Sequence, residues 1–140
     1  MKHLNVVAAV ILYDGRVLCM QRGEGKYAYV SRKFEFPGGK VEPGETEPRA
    51  LERELLEEMD MSVTVRAEDH LITVTHQYPD FEITMHCYLC RPASPDFVRR
   101  EHISHRWLAP EDLLTLDWAP ADVPVAEAVR ARLQTMGPRG

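Results

Sequence analysis

The chain has 140 residues, 44% of them hydrophobic and 28% charged, and a formal net charge of -5. This is the composition of one globular domain, spanning 1–140, able to bury about 70% of the surface that its unfolded chain exposes. It excludes a disordered tail, a collagen-like repeat and a disulfide-stapled miniprotein, and the acidic balance argues against a nucleic acid polymer as partner. The three cysteines cannot all pair, and a core of this size needs no staple, so a reduced, cytoplasmic protein is expected. Lys2 and His3 ahead of the apolar run Val6 to Leu12 imitate a signal peptide, but no small-residue cleavage pattern follows. No apolar run reaches the ~20 residues of a membrane span.

Val6 to Leu12 and Val17 to Gln21 are apolar, β-branched runs flanking Asp14-Gly15, which predicts a hairpin because both turn residues tolerate positive φ. Gly23 to Arg32 lacks any period and reads as a loop. Phe34 and Phe36 flank Glu35 in a short strand that Pro37-Gly38-Gly39 ends. Thr46 is placed to cap a helix running to about Met59, with Pro48 in its first turn. Strands are expected at Ser62 to Arg66, His70 to His76 and Phe81 to Cys90, the last two joined by the turn sequence Gln77-Tyr78-Pro79-Asp80. A loop follows around Pro92 and Pro95, then a short strand at His105 to Leu108 and a short helix at Pro110 to Leu114. A final helix runs to about Gln134, after which Gly137 to Gly140 should fray. Strands and helices mix without regular βαβ alternation, so the class is α+β with helices packed on a mixed sheet.

Charge is concentrated on the first helix and its approach. Eight acids lie between Glu42 and Asp60 against Arg49 and Arg53, so that this stretch alone carries -6. With Ala50 at 0°, a regular helix puts Glu54 at about 40°, Glu57 at about 340° and Glu58 at about 80°, an arc of about 100°. The arc lies beside the apolar stripe Leu51, Leu55 and Met59. Like charges at this spacing destabilise a helix by about 0.2–0.5 kcal/mol per pair. Such a cluster is either a solvated acidic face or a site for a hard cation such as Mg²⁺, whose shell phosphates can complete. Pro37-Gly38-Gly39-Lys40 places a glycine turn, open to close approach of a ligand, beside a cation that can meet a phosphate. Glu45, just before the helix, can brace Arg53.

Gly39, five residues, Glu45, seven residues, and then Arg53-Glu54-Leu55-Leu56-Glu57-Glu58-Met59-Asp60-Met61 together resemble the Nudix box. One position departs, because Asp60 stands where the box has Gly. That Gly serves as a positive-φ helix end, which Asp accepts at some cost.

The resemblance extends over nearly the whole chain, to the MutT and CTP pyrophosphohydrolase branch of the superfamily. It implies the Nudix fold, a mixed sheet packed between helices. It further implies Mg²⁺, with Mn²⁺ as a substitute, bound by the Gly39 carbonyl, Glu54 and Glu58, with Glu57 as a further ligand. Glu45 and Arg53 would form a supporting pair. Glu101 would be a loop carboxylate that binds a metal or acts as general base, Arg22 and Lys40 would lie near the phosphates, and Glu35 matches a family acid. The implied reaction takes a nucleoside triphosphate and water to the monophosphate and diphosphate. Divalent ions would let an acidic helix approach a polyphosphate, with Glu101 or Glu57 taking a proton from water.

For the base, Tyr78 sits where MutT-like chains carry an aromatic, and Phe36, His76, Trp118 and Tyr88 are further candidates. Asp122 in Trp118-Ala119-Pro120-Ala121-Asp122 resembles the CTP pyrophosphohydrolase subgroup and leans towards cytidine nucleotides, with 8-oxo-dGTP still open. It is equally placed to cap the last helix. Cys87 and Cys90 form a lone CxxC whose spacing in a strand points the thiols to opposite faces, against zinc. His102 and His105 read as surface histidines. The rival functions are a Nudix hydrolase of ADP-ribose or another dinucleotide, and a catalytically dead binding module, which should have lost a box glutamate. A monomer or a homodimer is expected.

Overall fold

A computed structural model describes residues 2–135. Seven strands form one sheet, β1 (Lys2–Tyr13), β2 (Arg16–Gln21), β3 (Phe34–Glu35), β4 (Gly38–Lys40), β5 (His70–Gln77), β6 (Phe81–Cys90) and β7 (Ser104–Leu108). The described residues also form two α-helices, α1 (Glu47–Met59) and α2 (Val123–Thr135), with short 3-10 turns at Ala67–Asp69, Pro110–Thr115 and Pro120–Asp122. The main order is β3-β2-β1-β6-β5, with β4 added to β1 and β7 to β2.

The long strand β1 organises the sheet. Over Lys2 to Ile11 it pairs in parallel with β6, while its end turns through Asp14 and Gly15, both at positive φ, into antiparallel β2. The remaining strand-to-strand pairings are antiparallel, so the sheet is mixed, and an isolated parallel bridge joins Phe34 to Trp118. Alternation along β1 then decides which side chain meets which helix. Val7, Ala9 and Ile11 pack with Ala50, Leu51, Leu55 and Met59 of α1, while Ala8, Val10 and Leu12 pack with Val125, Ala126, Val129 and Leu133 of α2. The sheet therefore lies between helices. Cys87 falls in the α2 core and Cys90 in the α1 core, both free and buried.

Two expectations fail. Ser62 to Arg66 forms no strand. The segment runs back along α1, with Met61 and Val65 buried in the α1 core and the Val65 N–H donated to Glu52 Oε2 at 2.9 Å, so side-chain anchors replace a strand partner. Gly38 to Lys40 does not end a strand but forms one, antiparallel to Val6, Val7 and Ala8. The expected fraying of 137–140 lies outside the described residues. Among these, no helix is long and apolar enough to cross a membrane.

Candidate active site

The acidic cluster is held by a helix with well-defined ends. Thr46 Oγ1 accepts the Arg49 N–H, Pro48 sits in the first turn, and Asp60 closes the helix at φ 53° with its N–H on the carbonyls of Leu55 and Leu56. Burial of Leu51, Leu55 and Met59 fixes the rotation of α1. Glu54 and Glu58 are thereby placed at the margin of the sheet, their side chains 20% and 5% exposed, while Glu57 faces solvent at 62%.

Arg53 gathers this cluster from one side. Its Nε and Nη2 donate to the two oxygens of Glu45 at 2.6 and 2.9 Å, a bidentate pair. Its Nη1 donates to Glu54 and Glu57 at 2.9 and 3.1 Å, and Nη2 also reaches the Lys40 carbonyl at 3.1 Å. The guanidinium hydrogen bonds hold the Glu45 carboxyl down to about 2. Glu58 is the opposite case. Burial, then the charges of Glu101, Glu35 and Glu54, push its carboxyl up to about 8, and burial also raises Glu54 in spite of Arg53. These are carboxylates brought together without enough donors to satisfy them.

Strand β4 closes the site from the other side. A β-carbon on Gly38 would overlap the Val7 carbonyl oxygen, and one on Gly39 would overlap the Glu54 carboxyl. Neither glycine has positive φ, so both are needed for close approach and not for a turn. Hard oxygens on a rigid helix beside a peptide group are a donor set that suits a hydrated divalent ion completed by phosphate. Among the described residues, no three His, Cys, Asp or Glu side chains are gathered closely enough to hold an ion alone.

A polar cleft leads off the cluster, lined by Glu58, Glu101, His102, Glu35, Gly38 and Arg22. The reading of His102 as a surface histidine is overturned. Its side chain is 5% exposed, with Nε2 2.9 Å from Glu35 Oε2 and Nδ1 3.4 Å from Glu58 Oε1. It is buried because Ile103 N donates to Gln21 O and Arg100 Nη1 donates to the Glu57 carbonyl, pinning the loop on both sides. The sequence carried one signal of this, the adjacency of His102 to Glu101.

Next to the cleft, sharing Arg22, Glu35 and Gly38 with it, lies a largely apolar cavity of about 300 Å³. Tyr78, Phe36 and Asp122 line it, together with Tyr27 and Phe81. Asp122 Oδ2 accepts the Phe36 N–H at 3.0 Å across 86 residues, so its carboxyl braces the cavity wall and does not cap α2. Burial, then the charge of Glu35, raises it well above the ordinary carboxylate range. The Tyr78 hydroxyl accepts the Ala121 N–H at 2.9 Å. Glu35 divides its oxygens between Arg22 Nη1, at 3.1 Å, and His102.

Other residues fall elsewhere. Lys40 is exposed and lines neither space. Trp118 stacks under Phe36 at 4.6 Å and donates to the Leu113 carbonyl. His76 packs edge-on against Tyr78 without lining the cavity. Tyr88 lies on the α1 side of the sheet, bonded to Glu47.

Residues 6–128 match the NUDIX domain family. The chain is 36% identical over 132 residues to the CTP pyrophosphohydrolase of Escherichia coli (strain K12), covering 94% of each chain. It is 30% identical over 125 residues to the 8-oxo-dGTP diphosphatase of the same strain, covering 89% of this chain and 95% of that one. The solution structure of the E. coli ORF135 protein superposes with a TM-score of 0.78 at 34% identity, covering 100% of this chain and 96% of that one. A MutT structure from methicillin-resistant Staphylococcus aureus 252 gives 0.72 at 38%, covering 94% and 99%. The box on α1, the mixed sheet between helices and these likenesses agree: the chain belongs to the NUDIX domain family and is a hydrolase of that family.

Proposed function

We propose that the chain is a nucleoside triphosphate pyrophosphohydrolase, taking a (d)NTP and water to the (d)NMP and diphosphate in the cytoplasm. CTP, dCTP, a modified cytidine nucleotide or an oxidised one such as 8-oxo-dGTP is the substrate class. The carrying observation is the shared wall. Arg22, Glu35 and Gly38 belong both to the acidic cleft and to the apolar cavity, so a base in one leaves its phosphates at the other. The full length of the match to the CTP pyrophosphohydrolase supports the same reading.

Glu54 and Glu58, with the Gly39 carbonyl, Glu57 and Glu101, are the groups that would hold Mg²⁺ or its substitute Mn²⁺. A divalent ion there supplies charge neutralisation and a bound water of lowered pKa. Arg53, clamped by Glu45, keeps Glu54 and Glu57 in place. Glu101 at the cleft, or exposed Glu57, takes the proton of the attacking water. Arg22 meets phosphate charge from the cavity side. Tyr78 and Phe36 give the base apolar walls, and Asp122 offers its free oxygen to the base edge.

Purified protein with millimolar Mg²⁺ and CTP, dCTP, 5-methyl-dCTP, 8-oxo-dGTP or ADP-ribose, followed by diphosphate or phosphate release, tests this. Diphosphate from a triphosphate is the expected result. Cleavage of ADP-ribose alone would move the assignment to dinucleotides, and turnover of none would indicate a binding module.

A further inference from the structure

Two buried side-chain nitrogens on the cleft lining have no partner, Arg22 Nε and His102 Nδ1, and only the second is an atom that can carry a lone pair. His102 Nδ1 makes no hydrogen bond, although its side chain is 95% buried. The other ring nitrogen, Nε2, lies on Glu35 Oε2 at 2.9 Å. Glu35 is a carboxylate and accepts, so Nε2 carries a proton, and in the neutral ring Nδ1 presents a bare lone pair. That lone pair lies at the acidic cleft, 3.4 Å from Glu58 Oε1, with Glu101 also on the lining. An imidazole whose far N–H is donated to a carboxylate is the arrangement by which proteins orient a metal-ligating histidine. Two ligand atoms at about 2.1 Å from one ion and at right angles to each other stand about 3.0 Å apart. The 3.4 Å between Nδ1 and Oε1 is within a small side-chain adjustment of that span.

We propose that His102 is a nitrogen ligand of the divalent ion, contributing Nδ1 beside the Glu58 carboxylate, with Glu35 as the residue that fixes its tautomer. The proposal rests on the reading of the glutamate cleft as a divalent-ion site. It adds to the oxygen donors one imidazole, a ligand type that suits Zn²⁺, Fe²⁺ and Ni²⁺ better than Mg²⁺. The donor set would then draw on β4, α1 and, through both Glu101 and His102, the loop ahead of β7, and ion binding would tie that loop to the helix.

The test is pulsed electron paramagnetic resonance on nucleotide-free, full-length protein with one equivalent of Mn²⁺. Wild-type protein should show the ¹⁴N modulation of a directly bound imidazole, and ¹⁵N-histidine labelling of the same protein should replace it with the ¹⁵N pattern. His102→Gln should abolish the modulation and weaken Mn²⁺ binding by about tenfold, the usual scale for loss of a ligand or its support. Bound Mn²⁺ without nitrogen modulation in wild-type protein that still releases diphosphate overturns the ligand assignment alone. Modulation that survives His102→Gln overturns it too, by tracing the nitrogen to another histidine. A failure of Mn²⁺ to bind overturns both this inference and the metal reading of the cleft. The isotope comparison needs no variant, so misfolding of His102→Gln cannot mask the answer.

Discussion

The carboxyl of Glu54 rests against the α-carbon of Gly39, in the space that any β-carbon there would occupy. Next to it, a β-carbon on Gly38 would run into the Val7 carbonyl oxygen. The two glycines thus face different obstacles, one a side-chain end and the other backbone. Gly39→Ala should leave the fold intact and displace Glu54, lowering turnover at least ~100-fold because a misplaced ligand fails in the assembled site. Gly38→Ala should instead lower stability, by about 1–3 kcal/mol as for other overpacked positions. Thermal melts and turnover of the two variants, side by side, check the division. Equal loss of stability in both would refute it.

Glu58 is buried among Glu35, Glu54 and Glu101, and no donor hydrogen-bonds its carboxyl; the His102 ring comes no closer than 3.4 Å. Glu58→Gln keeps the shape and removes the charge. Turnover at saturating Mg²⁺ should fall by at least ~100-fold, since the amide oxygen is a far weaker ligand for a hard ion. Above pH 4.5, the metal-free variant should melt at a higher temperature than wild type. The buried wild-type carboxyl, raised to about 8, must hold a proton that the unfolded chain releases or else stay charged in a poorly solvated cluster. A variant with wild-type rates would dismiss Glu58 as a ligand.

Arg53 makes five donations, two of them a fork on Glu45. An ammonium cannot reproduce that fork. Arg53→Lys should raise the Mg²⁺ concentration for half-maximal rate by about tenfold as Glu54 and Glu57 lose their brace. It also has a pH signature. The pair lowers the folded-state Glu45 carboxyl to about 2 from an ordinary value of 4.5, so its contribution to stability is present above the ordinary value and is lost as pH falls through about 2. The gap in melting temperature between wild type and Arg53→Lys should hold from pH 7 to pH 5 and close between pH 4 and pH 2. A gap that is unchanged at pH 2 would contradict the assignment.

Helix α1 was legible because everything that defines it is local. The Thr46 cap, the apolar stripe, the carboxylate arc and the positive φ at Asp60 all follow from spacing within one segment. The hairpin at Asp14-Gly15 and the alternation that sorts β1 between two cores are local in the same sense. What escaped was set by distant chain. Gly38 and Gly39 look like a turn until β1 arrives to pair with them. Ser62 to Arg66 has strand-like alternation because Met61 and Val65 anchor it to a helix, and alternation does not say what covers the buried face. His102 is buried by two contacts, from Ile103 to Gln21 and from Arg100 to Glu57, that nothing near it in sequence announces. The aromatic candidates divided for the same reason, Phe36 and Tyr78 reaching the cavity while Trp118 supports Phe36 from behind.

Asp122 combines a structural bond with an open valence. One oxygen accepts the Phe36 N–H, and the carboxyl is buried, with Glu35 the charge that raises it most. An amide at this position must turn its oxygen to Phe36 to keep that bond, which leaves only N–H donors facing the cavity. Where the pH is high enough to ionise the wild-type carboxyl, so that its free oxygen only accepts, Asp122→Asn should therefore weaken the use of bases that present an exocyclic amino group, as cytosine does, relative to bases that present a carbonyl, as oxidised guanine does. The shift should appear in the ratio of kcat/KM for dCTP to that for 8-oxo-dGTP, by about tenfold, the worth of one buried hydrogen bond of roughly 1.4 kcal/mol. The same substitution removes a titration. Because the folded-state carboxyl is raised, its favourable contribution is full below its ordinary value of 3.8 and is lost as pH rises towards the raised one. Wild type and Asp122→Asn should melt alike near pH 4, and wild type should fall progressively behind as pH rises to 8. Parallel melting curves across that range, together with an unchanged substrate ratio, would reduce Asp122 to a wall residue.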